Sequence, residues 1–157
     1  MSHPQPKPRS GDRVAVRNRR ARHEYHVLQN WEAGLVLQGT EVKSLRDGKA
    51  NLADAYARMD GGELWLYNMH ISPYEAGNRF NHDPLRRRKL LLHRGELRRL
   101  VGEVEQKGLT LVPLDVHFIG GIAKVDLALV RGKKLHDKRE TLRERAVERD
   151  MERGFKE

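Results

Sequence analysis

Asn18-Arg19-Arg20-Ala21-Arg22-His23 places three guanidinium groups, one amide and one imidazole within six residues. Such a donor set suits the phosphates and sugars of a nucleic acid, and the His23 ring could stack on a base. Arg86-Arg87-Arg88-Lys89 is a second cluster of donors, and Gly132-Lys133-Lys134-Leu135-His136-Asp137-Lys138-Arg139 opens a third stretch. From Gly132 to Glu157 there are nine Lys or Arg and seven Asp or Glu. Solvated surface charge explains any one cluster taken alone. Three of them in 157 residues carrying a formal charge of +9 point to a polyanion, because phosphate contacts release counterions and dominate affinity. Glu32 is a different kind of candidate. An acid in a basic protein either pairs a nearby arginine or accepts hydrogen bonds from a base edge or a 2′-hydroxyl, and the residue types alone favour the local pair.

Other chemistries find less support. Gly34-Leu35-Val36-Leu37-Gln38-Gly39 has the glycine spacing of a phosphate loop but continues as Thr40-Glu41, without the lysine that must reach the β- and γ-phosphates. His82-Asp83 and His136-Asp137 have no further ligands at metal-binding spacing, so no metal and no cofactor is expected. None of the four serines stands in a nucleophile elbow, and the chain is expected not to be an enzyme. The absence of cysteine excludes disulfides, zinc fingers, iron–sulfur clusters and thiol catalysis. Pro4, Pro6 and Pro8 leave no apolar signal-peptide core, and no apolar run approaches the roughly 18 residues of a membrane span. The expectation is a cytoplasmic protein with no membrane partner.

The elements that must position these residues read as follows. Residues 1–13 form a basic lead without structure of its own. Val14-Ala15-Val16 is a short apolar patch, and Asn18–His23 is a basic hinge. Glu24 to Leu37 reads as one long strand bent at Gly34. Thr40 would cap a short helix running to Asp47, with Gly48 as its stop and Val42 and Leu45 on one face. Tyr56–Met59 and Leu64–Met69 flank Asp60-Gly61-Gly62 as a hairpin, and Glu75 to Pro84 is a polar loop. Leu97, Leu100, Val101 and Val104 mark an amphipathic helix over Gly95–Lys107. Leu109–Phe118 and Ile122–Val130 form a second hairpin about Gly120-Gly121, with Pro113 signalling an edge or a bulge. Trp31 and Trp65 are assigned to the core. Mostly antiparallel strands with inserted helices predict a mainly β protein, a small Greek-key barrel of the OB type over 14–131; an α+β sandwich is the alternative.

The stretch 132–157 contains good helix formers but no apolar stripe wide enough to dock on the domain. In a helix, Glu140, Glu144, Glu148 and Glu152 would form one ridge, with Arg145, Arg149 and Arg153 beside it. Repulsion within each ridge roughly cancels the attraction between ridges, so the tail reads as disordered alone and helix-competent against a polyanionic surface.

Taken together, Asn18–Tyr25, Glu32-Ala33-Gly34-Leu35, Gln38–Arg46, Gly48-Lys49-Ala50-Asn51, Arg88–Leu92 and Gly132–Arg139 resemble the SsrA-binding protein (small protein B) family, in order and without a large gap from about residue 14 to the end. The resemblance implies a non-enzymatic adaptor on an OB-type barrel. Its partner would be transfer-messenger RNA, bound at the elbow of the tRNA-like part and brought to bacterial ribosomes stalled on messages lacking a stop codon. Elongation factor Tu would be a partner indirectly, through the charged RNA. By matching motif, the RNA-facing residues would be Asn18, Arg20, Arg22, His23, Glu32, Lys89, Leu91 and Leu92, which moves Glu32 from a local ion pair to RNA. The position after the leucine triplet is often Asn in this family and is His93 here. Gly132, Lys133, Lys134, His136, Asp137, Lys138 and Arg139 would meet the decoding site and the message channel of the ribosome. A general OB-fold nucleic-acid binder or ribosomal protein is the competing class.

Overall fold

Side chains alternating across strands give this chain its inside and outside. In β5 (Glu63–Tyr67), Leu64 and Leu66 are buried while Trp65 and Tyr67 face outward. In β9 (Ile122–Gly132), Ala123, Val125, Leu127 and Leu129 form the inner row. The structure is a computed structural model and describes residues 13–75, 81–107 and 109–132, together with Arg143 and Ala146.

Before these strands come β1 (Arg13–Arg17), α1 (Ala21–Glu24), β2 (Tyr25–Leu35), α2 (Gly39–Arg46), β3 (Ala50–Asn51) and β4 (Tyr56–Asp60). After β5 follow β6 (His70–Ile71), β7 (Arg88–Leu91), α3 (Arg94–Lys107) and β8 (Thr110–Ile119), leading into β9. All pairings are antiparallel. The order β8-β4-β5-β7-β2-β9, with β9 returning to β8, closes a ring. β8 serves three neighbours: β9 along one edge, β4 at Leu111 and β1 at Asp115–Phe118 on the other. Closure leaves the ring without the unpaired edges that invite aggregation. This is the OB-type barrel expected.

The interior holds Trp31, Ala33, Leu35, Leu64, Leu66, Leu90, Val116, Phe118, Val125, Leu127 and Leu129. α2 adds the fully buried Leu45, and α3 adds Leu100 with Leu97, Val101 and Val104 packed beside it. No helix among the described residues is long and apolar enough to cross a membrane.

The long strand does bend at Gly34. Gly34 pairs with Lys124 of β9 and with Leu91 of β7, so β2 changes neighbours at this residue. A Cβ there would lie 3.3 Å from the Cβ of Leu91, closer than side chains ordinarily approach. Pro113 adjoins a register shift between Pro113 and Asp115, the bulge its missing N–H predicts.

Three expectations are corrected, and one strand that was not anticipated appears. The cap of α2 is Gln38, not Thr40: Gln38 and Glu41 form a reciprocal capping box, and Thr40 Oγ1 lies 2.9 Å from His82 Nδ1 instead. Asn18–His23 is no loose hinge, because it runs through a turn into α1. The basic cluster at Arg86–Lys89 enters a barrel strand, β7. Trp65 faces outward, whereas Trp31 is in the core. The alternation of β5 accounts for this, since Leu64 and Leu66 take its inner face and leave Trp65 on the outer one.

Candidate RNA interface

The β7 face rests on an ion pair that is fully inside. Glu41 and Arg88 are both 0% exposed. Arg88 Nε donates to Glu41 Oε2 at 2.6 Å, and its terminal nitrogens donate to the carbonyls of Met69 and Pro84. Arg86 donates to Glu41 Oε1. Burial pushes the Glu41 carboxyl up, but the Arg86 and Gln38 hydrogen bonds and the Arg88 charge carry it below the ordinary range. Burial lowers Arg88 from its ordinary value, opposed by Glu41. Arg88 is therefore a structural residue joining β7 to α2 and to the loop before β7. With it fixed, alternation turns Lys89 and Leu91 outward. Leu91 is 52% exposed, and Lys89 Nζ lies 2.9 Å from Glu63. Leu92 is half-buried against the core, and His93 is exposed. Arg87 lies 3.9 Å from the Trp65 ring centroid and pairs with Asp60 at 2.7 Å.

At the other end of β2, the basic turn is seated from within. Asn18 is 7% exposed. Its Nδ2 donates to the carbonyls of Leu52 and Pro113 at 3.2 and 2.9 Å, and its Oδ1 accepts from the Ala21 N–H at 3.2 Å. Ala21 packs with Val112, Ala128 and Val130 in a small apolar cluster. These contacts present Arg20 to solvent, with Nε 2.8 Å from Glu24 and one terminal nitrogen 3.7 Å from Asp54. His23 is half-buried, and its Nδ1 is inside with no hydrogen-bond partner among the described residues. The Arg22 backbone belongs to α1; its side chain lies outside what the structure describes.

Glu32 lies in the second half of β2 and faces outward. Cross-strand register places it opposite Asp126, which stands opposite Asp115, which stands opposite Arg17. His117 sits between, with Nδ1 2.7 Å from Asp115 and Nε2 3.8 Å from Glu32. Asn30 donates to Asp126 at 2.9 Å. The Asp115 hydrogen bond raises the His117 imidazole above its usual value against the opposing effect of burial. Burial pushes the Asp126 carboxyl up, and the negative charges of Asp115 and Glu32 add to it while Asn30 and His117 oppose. The local arginine that residue types favour for Glu32 is not there among the described residues; its ion-pair partner is a histidine.

The structure thus strings most of the expected contacts along β2 and its neighbours. The basic turn leads into Tyr25, Glu32 stands two residues before Gly34 and Leu91 lies opposite Gly34, a span of about 30 Å at about 3.3 Å per residue. Asn18 is the exception, facing inward. Asp115, Asp126 and His117 were missed from sequence; their only trace was aspartate inside strands, where it is disfavoured. Gly132 is exposed and ends β9 opposite Tyr25. Lys133, Lys134, His136, Asp137, Lys138 and Arg139 lie outside the described residues. Arg143 and Ala146 are helical and exposed.

A closed OB-type barrel that exposes Arg20 before β2, Glu32 on it and Lys89 and Leu91 on β7 has the architecture of the barrel class of RNA-binding proteins. The model of the SmpB protein family matches residues 15–157, and the chain belongs to that family. The chain is 58% identical to the SsrA-binding protein of Pelotomaculum thermopropionicum over 145 residues, covering 92% of this chain and 95% of that one. It is 62% identical to the SsrA-binding protein of Syntrophomonas wolfei over 147 residues, 94% of each. Among solved structures it is similar to a chain described under "tmRNA-SmpB: a journey to the center of the bacterial ribosome", with a TM-score of 0.66 and 57% identity over 82% of this chain and 94% of that one.

Proposed function

We propose that this protein is an RNA-binding adaptor of trans-translation. It binds the tRNA-like domain of transfer-messenger RNA and delivers it to stalled ribosomes, so that incomplete proteins are released and tagged for degradation. The observation that carries this reading is the family match through residue 157, which takes in the tail as well as the barrel. The outward placing of Glu32 on β2, with Leu91 of β7 opposite Gly34 and the basic turn leading into Tyr25, supports it.

The roles divide by place. Arg20, Arg22 and Lys89 meet phosphate and sugar, Glu32 accepts hydrogen bonds from a base edge or 2′-hydroxyl, and Leu91 and Leu92 give an apolar contact. His23 offers its ring. Asn18 acts from inside, by holding the turn that presents Arg20. Gly132, Lys133, Lys134, His136, Asp137, Lys138 and Arg139 enter the decoding site and message channel, where the tail folds as a helix. Residues 1–13 lead into the barrel of 14–131, and β1 takes up Arg13 itself. No step in this role makes or breaks a covalent bond, so the protein is an adaptor and not an enzyme. It works in the cytoplasm with the ribosome and, through the charged RNA, with elongation factor Tu.

The test compares the full chain with one lacking residues 133–157. Both are titrated with the tRNA-like domain against tRNA and duplex RNA competitors, and both are assayed for peptidyl transfer on ribosomes holding a message without a stop codon. Equal, selective binding with transfer lost on truncation is expected. Unselective binding, or binding lost with the tail, would make the protein a general polyanion binder.

A further inference from the structure

Beside the basic turn, α1, the connection between β3 and β4 and the start of β8 enclose a cavity of about 340 Å³. Its lining includes Tyr25 and Tyr56, whose ring stacks on that of Tyr67, together with Glu24, Asp54 and Asn68. Arg20 spans the mouth, reaching Glu24 on one side and Asp54 on the other. The volume lies at the small end of ligand pockets, about 300–1,000 Å³, and suits a single nucleoside.

Two features mark this as more than a surface dent. Asn68 has a φ of 60°, the one left-handed residue other than glycine among those described. Asn tolerates that conformation better than most residues, yet such positions cost energy and concentrate where a side chain must be aimed. Its amide has no hydrogen-bond partner among the described residues. Asp54 is the second: its side chain is 81% exposed and holds Arg20 only loosely, so both carboxylate oxygens are available.

We propose that this cavity receives one guanine unstacked from a loop of the bound RNA. Adjacent N1–H and N2–H donors on the Watson–Crick edge of guanine match the two oxygens of Asp54, a pairing that adenine, cytosine and uracil cannot reproduce. The Asn68 amide supplies a donor and an acceptor for the remaining base or ribose groups. The tyrosines form the apolar walls, and Arg20 at the mouth faces the phosphate. Exchanging the weak Arg20–Asp54 contact for base and phosphate contacts loses little, because exposed pairs at this distance contribute almost nothing. The inference rests on the adaptor reading and names what the basic turn recognises.

The experiment titrates the full chain with the tRNA-like domain carrying a single abasic nucleotide at each loop position in turn. Affinity should fall about 5- to 100-fold at one guanine, the range of a held base, and inosine there, lacking N2–H, should also bind more weakly. Asp54→Asn and Asn68→Gly should each weaken binding of the intact RNA and cost nothing further on the abasic one. Both positions are exposed, and glycine relieves the left-handed backbone, so both variants should fold. Affinity within twofold at every abasic position overturns the pocket. So does an equal loss by the variants with and without the base, which would mean a backbone contact. A position effect seen only after residues 133–157 are removed also overturns it, since the chain itself would then fill the cavity. If the intact RNA is not bound selectively at all, the adaptor reading falls first.

Discussion

Replacing Glu41 by Gln should be among the most destabilising single changes available to this protein. The carboxylate is 0% exposed and takes one guanidinium on each oxygen, Arg88 on Oε2 and Arg86 on Oε1. A glutamine keeps one acceptor but turns an NH₂ toward the other arginine, donor against donor, and leaves the Arg88 charge inside without a counter-charge. Removing one partner of a buried pair costs about 3–5 kcal/mol. For a domain of this size, at about 4 °C per kcal/mol, the midpoint of thermal unfolding should fall by about 12–20 °C. Urea unfolding followed by tryptophan fluorescence reads the change directly, because Trp31 is in the core. Glu41→Leu combined with Arg88→Met should be more stable than Glu41→Gln alone, since removing both charges removes the uncompensated one, while the Met69 and Pro84 carbonyls that lose their donor keep it below the wild type. A loss below about 1 kcal/mol for Glu41→Gln, or a double variant no more stable than the single, would refute the view that a charge-paired interior holds β7 in place.

Glu32→Ala should weaken binding of the tRNA-like domain about 10- to 100-fold, the range of a hydrogen bond to a charged group, with the urea midpoint unchanged because the side chain faces solvent; unaltered affinity would remove Glu32 from the interface. Gly34→Val puts a branched carbon against Leu91, where a Cβ alone comes within 3.3 Å, and should cost about 1–3 kcal/mol as overpacking; a stability change near zero in denaturant would show that the corner yields. His117 holds its proton more tightly folded than unfolded, so its contribution to stability is full below its ordinary pKa of 6.5 and is lost as pH rises through the raised folded value; the urea midpoint should therefore fall over that interval in the wild type and less in His117→Gln, and parallel profiles would contradict the assignment. His136→Ala should leave RNA binding intact and impair peptidyl transfer on stalled ribosomes, and normal transfer would take His136 out of the decoding site.

Much of the barrel was legible because its signals are local. Gly61-Gly62 and Gly120-Gly121 sit at positive φ in tight turns that glycine enters freely, and the strands flanking them follow. Gly34 marked the bend in β2, and Pro113 the bulge in β8. What could not be read depends on pairing across long separations. Nothing near Arg88 in sequence announces Glu41, 47 residues earlier, so three arginines and a lysine read as one basic cluster when one of them is interior. Asn18 misled in the same way: beside three arginines it looked like one more RNA donor, yet its partners are carbonyls at Leu52 and Pro113. The row from Glu32 to Arg17 exists only through register across four strands.

That row and the ion pairs around it bear on how a protein of charge +9 can choose one RNA among many. Three of the barrel's cations are paired with carboxylates: Arg20 with Glu24 and Asp54, Arg87 with Asp60, and Lys89 with Glu63. A phosphate arriving at any of them displaces a carboxylate, so the sequence-independent attraction is largely cancelled at those points. The carboxylates of Glu32, Asp115 and Asp126 further repel a backbone laid carelessly across β2. On the roles proposed above, an RNA would gain only by replacing each internal contact with a better one at the same place, phosphate at Arg20 and Lys89 and a donor at Glu32, over a span of about 30 Å. Folded RNA of one shape can meet that condition; a random duplex cannot. Restraining the arginine side chains before binding also lowers the entropy lost when they engage. On that proposal specificity would come from acidic residues set among basic ones, and composition alone could not show it, because net charge counts the two kinds without saying which face each other.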